Sequence, residues 1–214
     1  LVHIGFGTVN GADGHAFKTR DGGVMRLEML INEINEKMYQ KIVESREVDE
    51  EEARNTAKII ALSAIKYGDL SNQASKDYIF DIDKFTSFEG DTGPYILYTI
   101  VRIKSILAKA KEQGEDLTNL PLKEADTDSQ KALMMTIARF NAMMESAYEE
   151  VAPHKICAYI YDLANAFNRF YHENRILAEE NETKKKSWLG LLILTREILE
   201  ACIDVLGFSA PERM

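Results

Sequence analysis

The chain opens on an alternating pattern. Val2, Ile4 and Phe6 are interleaved with His3, Gly5 and Gly7, the period of two that marks a strand with one buried face, here weakened by its glycines. The pattern predicts a strand from Leu1 to Val9, and Asn10 to Gly14 then reads as a turn, because Asn and Gly tolerate the positive φ of tight reversals. After Gly22 and Gly23 the period changes. Leu27, Ile31, Ile34, Met38 and Ile42 recur at steps of three and four, which places them in one stripe along a helix. A second helix is predicted from Asp49, whose carboxylate can cap free amides while Glu50, Glu51 and Glu52 meet the positive end of the helix dipole, and it should run toward Tyr67.

From Gly68 to Gly93 the order is less regular, and a domain boundary is expected between residues 91 and 92. Pro94 suits the first turn of a new helix, where its missing N–H is no loss. The next segment, Tyr95 to Lys111, is so rich in large apolar residues that it should be buried on more than one side. Gly114 to Asp126 reads as a loop, and three further stripes come after it: Leu133, Ile137, Phe140, Met144 and Tyr148; then Ile156, Ile160, Leu163, Phe167 and Phe170; then Trp188 through Leu206. The expected fold is mainly α, with a C-terminal helical bundle preceded by a partial α/β unit.

Composition narrows the class. The 214 residues are 45% hydrophobic with only four prolines, enough apolar material for a buried core and unlike a disordered chain or a disulfide scaffold. No stretch approaches the roughly 18 apolar residues a membrane helix requires, and no basic segment leads into an apolar one at the start. A soluble, cytoplasmic monomer without a membrane partner is expected. Cys157 and Cys202 are far apart and show no metal-ligand spacing, so buried free thiols and no protein-bound metal are expected. The chain starts on Leu1, inside what reads as a strand, and is expected to be a piece of something longer.

Candidate chemistry is sparse. Gly5-x-Gly7 lacks the third glycine and adjoining helix of a phosphate cradle, and His3-Ile4-Gly5-Phe6, although it looks like the opening signature of class I aminoacyl-tRNA synthetases, lies in strand-like alternation. Phe17-Lys18-Thr19-Arg20 ahead of Asp21-Gly22-Gly23 supplies two cations and a hydroxyl on a glycine-flanked loop. Such groups suit a polyphosphate, since Lys is a compact charge and Arg can bond two oxygens at once; by composition alone a solvated basic loop is the better description. His154 and His172 have no matching nucleophile or carboxylate, and Met134, Met135, Met143 and Met144 are expected to fill core.

A resemblance reverses the judgement on the basic loop. The string HIGFGTVNGADGHAFKTRDGGVMRLEMLINE from His3 to Glu33, together with AIKYGDLSN from Ala64, DYIFDID from Asp77, SFEGDTGPY from Ser87 and VRIKSIL from Val101, resembles the end of the catalytic domain of the arginyl-tRNA synthetase family and the start of its next domain. PHKICAYIYDLA from Pro153, FNRFY from Phe167 and the ending LGFSAPERM from Leu206 resemble the family's helical DALR anticodon-binding domain. The resemblance implies residues 1–91 as the catalytic-domain tail and residues 92–214 as the anticodon-binding domain. It implies Phe17, Lys18, Thr19 and Arg20 at the loop that closes over ATP, with Mg2+ accompanying the nucleotide and with Lys18 and Arg20 as catalytic cations. Ala16 and Thr19 stand where the general class I pattern has lysines, and Gln73-Ala74-Ser75 where relatives commonly carry an arginine.

The same resemblance implies an arginine tRNA as partner and arginine and ATP as substrates of an aminoacyl-tRNA ligase. Tyr171 and the terminal Met214 would help form the pocket for anticodon bases, and Arg169, Arg175 and the Lys184-Lys185-Lys186 run would contact phosphates, which position RNA without reading it. The net charge of −9, from 26 basic and 35 acidic residues, demands that basic residues such as Arg102, Lys104, Lys109 and Lys111 gather locally, because affinity for RNA comes largely from cations at phosphates. Residues 1–214 alone are expected to be catalytically inactive. The alternative reading is a non-catalytic helical module that binds another protein.

Overall fold

The computed structural model describes residues 3–11, 14, 27–45 and 47–214. Of the strand predicted from Leu1 to Val9, Leu1 and Val2 lie outside the described residues, and among the described ones the strand is Val9–Asn10 (β1), which pairs in parallel with Tyr78–Ile79 (β2), Val9 opposite Tyr78. Residues 3–8 form no regular element and Phe6 is 91% exposed, because no further strand among the described residues supplies a sheet face against which the alternation could be buried. Gly7 has a steric role. A Cβ there would lie 2.2 Å from the Lys76 carbonyl oxygen, and this close passage lets the Gly7 N–H donate to Ala74 O at 2.8 Å.

Helix α1 (Leu27–Ser45) buries Ile34, Met38 and Ile42 of its predicted stripe, while Leu27 and Ile31 stay exposed at its start. Helix α2 (Glu50–Leu70) is capped as expected: Asp49 Oδ2 accepts from the N–H groups of Glu51 and Glu52 at 3.0 and 3.3 Å. A short α3 (Ile82–Phe85) comes after β2, with the Phe85 ring resting where Gly68 of α2 has no side chain. Helix α4 (Gly93–Glu112) starts with Thr92 as N-cap and Pro94 in its first turn. Gly93 allows α4 to meet α2 directly, since a Cβ there would come within 2.3 Å of the Ser63 carbonyl oxygen.

The stripe from Leu133 to Tyr148 is divided between α5 (Asp128–Ala138) and α6 (Phe140–Glu149). At the junction the Arg139 N–H bonds Thr136 O, an i to i−3 contact that tightens the turn and rotates the stripe; Tyr148 at its end is 86% exposed. Helix α7 (Pro153–Glu173) keeps its whole stripe buried, and after a 3-10 turn (Ile176–Ala178), α8 (Glu182–Val205) buries Trp188, Leu191, Leu192, Thr195, Ile198, Leu199 and Cys202. Trp188 Nε1 donates to Gln130 Oε1 at 3.2 Å, so the indole that fills the core also satisfies a buried amide.

The two expected units share one continuous hydrophobic core that runs from Ile34 through Tyr67 and Ile100 to Leu199. Tyr67 ties them together. Its ring is fully buried, and its hydroxyl faces Asp91 Oδ1 at 2.5 Å and the Cys157 carbonyl at 2.9 Å. No helix among the described residues is long and apolar enough to cross a membrane.

Candidate nucleic-acid interface

Helices α4 and α7 lie in contact, and the steps of three and four from Tyr95 to Tyr98 to Arg102 put these residues on one side of α4. Asn165, Asn168 and Tyr171 occupy the matching side of α7, and the hydrogen bonds form a chain. Tyr95 Oη donates to Asn165 Oδ1 at 2.7 Å, Asn168 Nδ2 donates to Tyr95 Oη at 2.9 Å, and Arg102 Nη1 donates to Asn168 Oδ1 at 2.8 Å. Arg102 Nη2 reaches Tyr98 Oη at 3.0 Å. Partial burial raises the Tyr95 pKa above its ordinary value, which keeps this hydroxyl protonated and able to donate.

The guanidinium lies between two rings, 4.7 Å from the Tyr98 centroid and 5.6 Å from that of Tyr171. Tyr171 in turn stacks on Phe167 with centroids 6.0 Å apart and planes 20° apart. A pocket of ≈ 470 Å³ opens beside this array, lined by Phe88, Glu89, Tyr95, Tyr98, Arg102, Asn168 and His172. Flat π faces accept a planar heterocycle without regard to its identity, and a guanidinium that uses two of its five N–H donors internally keeps others for an incoming acceptor.

Of the residues singled out from sequence, the structure brings Tyr171 into this array and leaves Arg169 and Arg175 outside it. Arg169 is exposed and pairs with Glu173 at 2.9 Å, one turn along α7, which holds the Glu173 carboxyl below its usual range. Arg175 is exposed and makes no ion pair with the described residues. Met214 is half-buried against the core at the end of a tail that continues from α8. Two lysines of the run are committed locally: Lys184 pairs with Glu179 at 3.4 Å and sits 4.7 Å over Trp188, and Lys185 pairs with Glu115 at 2.8 Å. The basic residues of α4 do not form a uniform cationic face either, since Lys104 is paired with Glu200 and Glu212.

Phe17, Lys18, Thr19 and Arg20 lie outside the described residues. Among the described residues no group of three or more His, Cys, Asp and Glu side chains is placed to hold a metal ion. A second, larger groove of ≈ 1290 Å³ lies between β1, α1, α2 and β2, floored by Val9, Leu30, Ile31, Leu62, Ile65 and Tyr78. The residues that sequence reasoning undervalued are Tyr95, Tyr98 and Asn168. Their spacing was visible, but a Tyr in a densely apolar helix reads as core filler until a polar partner on another helix is known.

Two known family profiles match separate parts of the chain. The profile described as "DALR anticodon binding domain" matches residues 96–214, more than half of the chain, and "tRNA synthetases class I (R), catalytic domain" matches residues 1–82. The chain thus belongs to the DALR anticodon-binding domain family of the class I tRNA synthetases. Two curated relatives carry the name arginine–tRNA ligase. An arginine–tRNA ligase of Agathobacter rectalis is 67% identical over 222 residues, covering 100% of this chain and 37% of the relative. One from Alkaliphilus oremlandii is 49% identical over 217 residues, covering 100% of this chain and 36% of the relative. The chain therefore spans little more than a third of the length of these curated relatives. Among solved structures, the arginyl-tRNA synthetase of Thermus thermophilus superposes with a TM-score of 0.82 at 27% identity over 99% of this chain and 35% of that one. The Plasmodium falciparum enzyme gives 0.81 at the same 27% identity, again over 99% and 35%.

Proposed function

We propose that this chain reads the anticodon loop of an arginine tRNA through the Tyr98–Arg102–Tyr171 array, as part of an enzyme that uses ATP to attach arginine to that tRNA. The observation that carries the reading is the guanidinium held between two tyrosine rings beside an open pocket. Unpaired loop bases are recognised by splaying them onto aromatic or guanidinium planes and bonding their edges. Each stacked base is worth about 1–3 kcal/mol. Met214 supplies an adaptable thioether surface at the same task.

On this reading residues 1–91 belong to the catalytic side and residues 92–214 to the anticodon side. Phe17, Lys18, Thr19 and Arg20 meet ATP, and Mg2+ arrives with the nucleotide. Lys18 and Arg20 neutralise charge on the phosphates when amino acid and ATP react. The protein acts in the cytoplasm as a monomer.

The test is a filter-binding titration of the purified chain at low salt with arginine tRNA and with the same tRNA altered at its middle anticodon base. Tighter binding of the unaltered tRNA, abolished in Arg102→Ala, is expected. Equal affinities for the two RNAs, or no binding at low salt, would sink the reading and favour a module that binds protein.

A further inference from the structure

The last residues of the chain are held in an unusual way. Phe208 N–H donates to Ile203 O and closes the end of α8, and beyond it no backbone-to-backbone hydrogen bond among the described residues restrains the tail. Apolar seating comes from Phe208 and Pro211, which are buried. Polar anchoring comes from two lysines of other helices. Lys66 of α2 donates to Gly207 O at 2.7 Å, and Lys104 of α4 reaches further along.

The Lys104 ammonium has three partners: Glu212 Oε1 at 2.7 Å, Glu200 Oε1 at 3.3 Å and the Pro211 carbonyl at 3.5 Å. It donates hydrogen bonds to Glu212 and to the Pro211 carbonyl and forms an ion pair with Glu200, and so joins α4, α8 and the tail. The Lys104 side chain is 16% exposed, whereas that of Glu212 is 86% exposed. The cation is thus the fixed partner and the tail carboxylate the one that is captured. Arg196 Nε lies 3.5 Å from the second oxygen of Glu200, an ion pair without a hydrogen bond. The pairing depresses the Glu212 carboxyl below its usual range, with Lys104 the first cause. Met214 lies two residues beyond the captured Glu212.

We propose that Lys104 is a positioning residue for RNA recognition: its ammonium fastens the C-terminal tail to α4 and α8, and so fixes where the Met214 thioether is presented. The inference rests on the anticodon reading above. Lys104 touches no base. It acts through the terminus, in the same way that a supporting group fixes the geometry of a binding residue.

The experiment uses the full chain labelled with 13C-methyl methionine, whose eight methionines give separate signals, the Met214 signal being assigned by its loss in Met214→Leu. In Lys104→Leu, which removes the charge without adding a methionine signal, the Met214 methyl moves to the position of a solvated methionine, and affinity for arginine tRNA falls roughly tenfold, with little change for the RNA altered at its middle base. Lys104→Arg, which keeps the charge, restores both readouts. A Met214 signal unmoved in Lys104→Leu overturns the proposal, as does a moved signal with unchanged affinity for the cognate tRNA. If the wild-type chain itself shows no base-dependent binding, the anticodon reading fails and takes with it the role of Lys104 in RNA recognition. Base-dependent wild-type binding that survives Lys104→Leu overturns the role of Lys104 alone.

Discussion

Tyr67→Phe isolates one contact among those that join the two halves of the molecule. The substitution keeps the buried ring and removes one hydroxyl, which faces Asp91 Oδ1 at 2.5 Å and the Cys157 carbonyl at 2.9 Å. A hydrogen bond to a charged group contributes about 1.5–3 kcal/mol and a neutral one about 0.5–1.5 kcal/mol. The single proton is shared between two acceptors, and the exposed Asp91 regains water when the hydroxyl is lost. The expected cost is therefore about 2 kcal/mol rather than the sum of both ranges. For a chain of this size that corresponds to a Tm lower by about 4–8 °C. Thermal unfolding is monitored by far-UV circular dichroism and by fluorescence of Trp188, the one tryptophan, which is buried in the bundle. Both probes should fall together, because α2 and the bundle share a core. A Tm within about 1 °C of wild type, given that 1 kcal/mol corresponds to about 2–4 °C, would refute the reasoning; so would a loss seen by circular dichroism while Trp188 fluorescence stayed at its wild-type midpoint.

The packing makes three further outcomes testable. Gly93→Ala forces a Cβ to within 2.3 Å of the Ser63 backbone, so α4 must move off α2 at a cost of about 1–3 kcal/mol, read as a lowered urea midpoint. Val151, a β-branched residue held at φ 50° and 45% exposed, occupies the left-handed position after α6; Val151→Gly should raise stability by about 1 kcal/mol, and a lowered melting temperature would contradict this. Burial pushes the thiols of Cys157 and Cys202 up to about 12, so the thiolate is scarce at pH 8. A disulfide reagent should therefore label neither thiol until denaturant is added, whereas prompt labelling of the folded chain would count against their burial.

The helices were legible because their signals are local. The Ile34, Met38 and Ile42 stripe, the Asp49 cap and Pro94 in the first turn of α4 each involve residues within one or two turns of one another, and such spacings carry their meaning without knowledge of the fold. Over residues 3–8 the expected strand failed for the opposite reason. Alternation states that a face is available for burial, and it does not state that another strand will be present to bury it; among the described residues Val9 and Asn10 pair only with Tyr78 and Ile79. The stripe of α5 and α6 failed in between, since one i to i−3 bond at Arg139 was enough to rotate Tyr148 into solvent.

The site divides in the same way. Sequence by itself determined the inventory: the aromatic and basic residues, the thiols, the helices that carry them and the membership of the family. Only the tertiary structure decided which charges are free and which are spent. Lys184, Lys185 and Arg169 look alike as candidate phosphate contacts, yet each is paired to a nearby carboxylate, while Arg102 is drawn between Tyr98 and Tyr171. Arg102 and Tyr171 sit on different helices, far apart along the chain, and their meeting depends on how α4 packs on α7. The physical reason is range: capping and helical periodicity are settled within a few residues of chain, whereas the partner of a charge is settled by whatever the whole fold brings within a few ångströms of it.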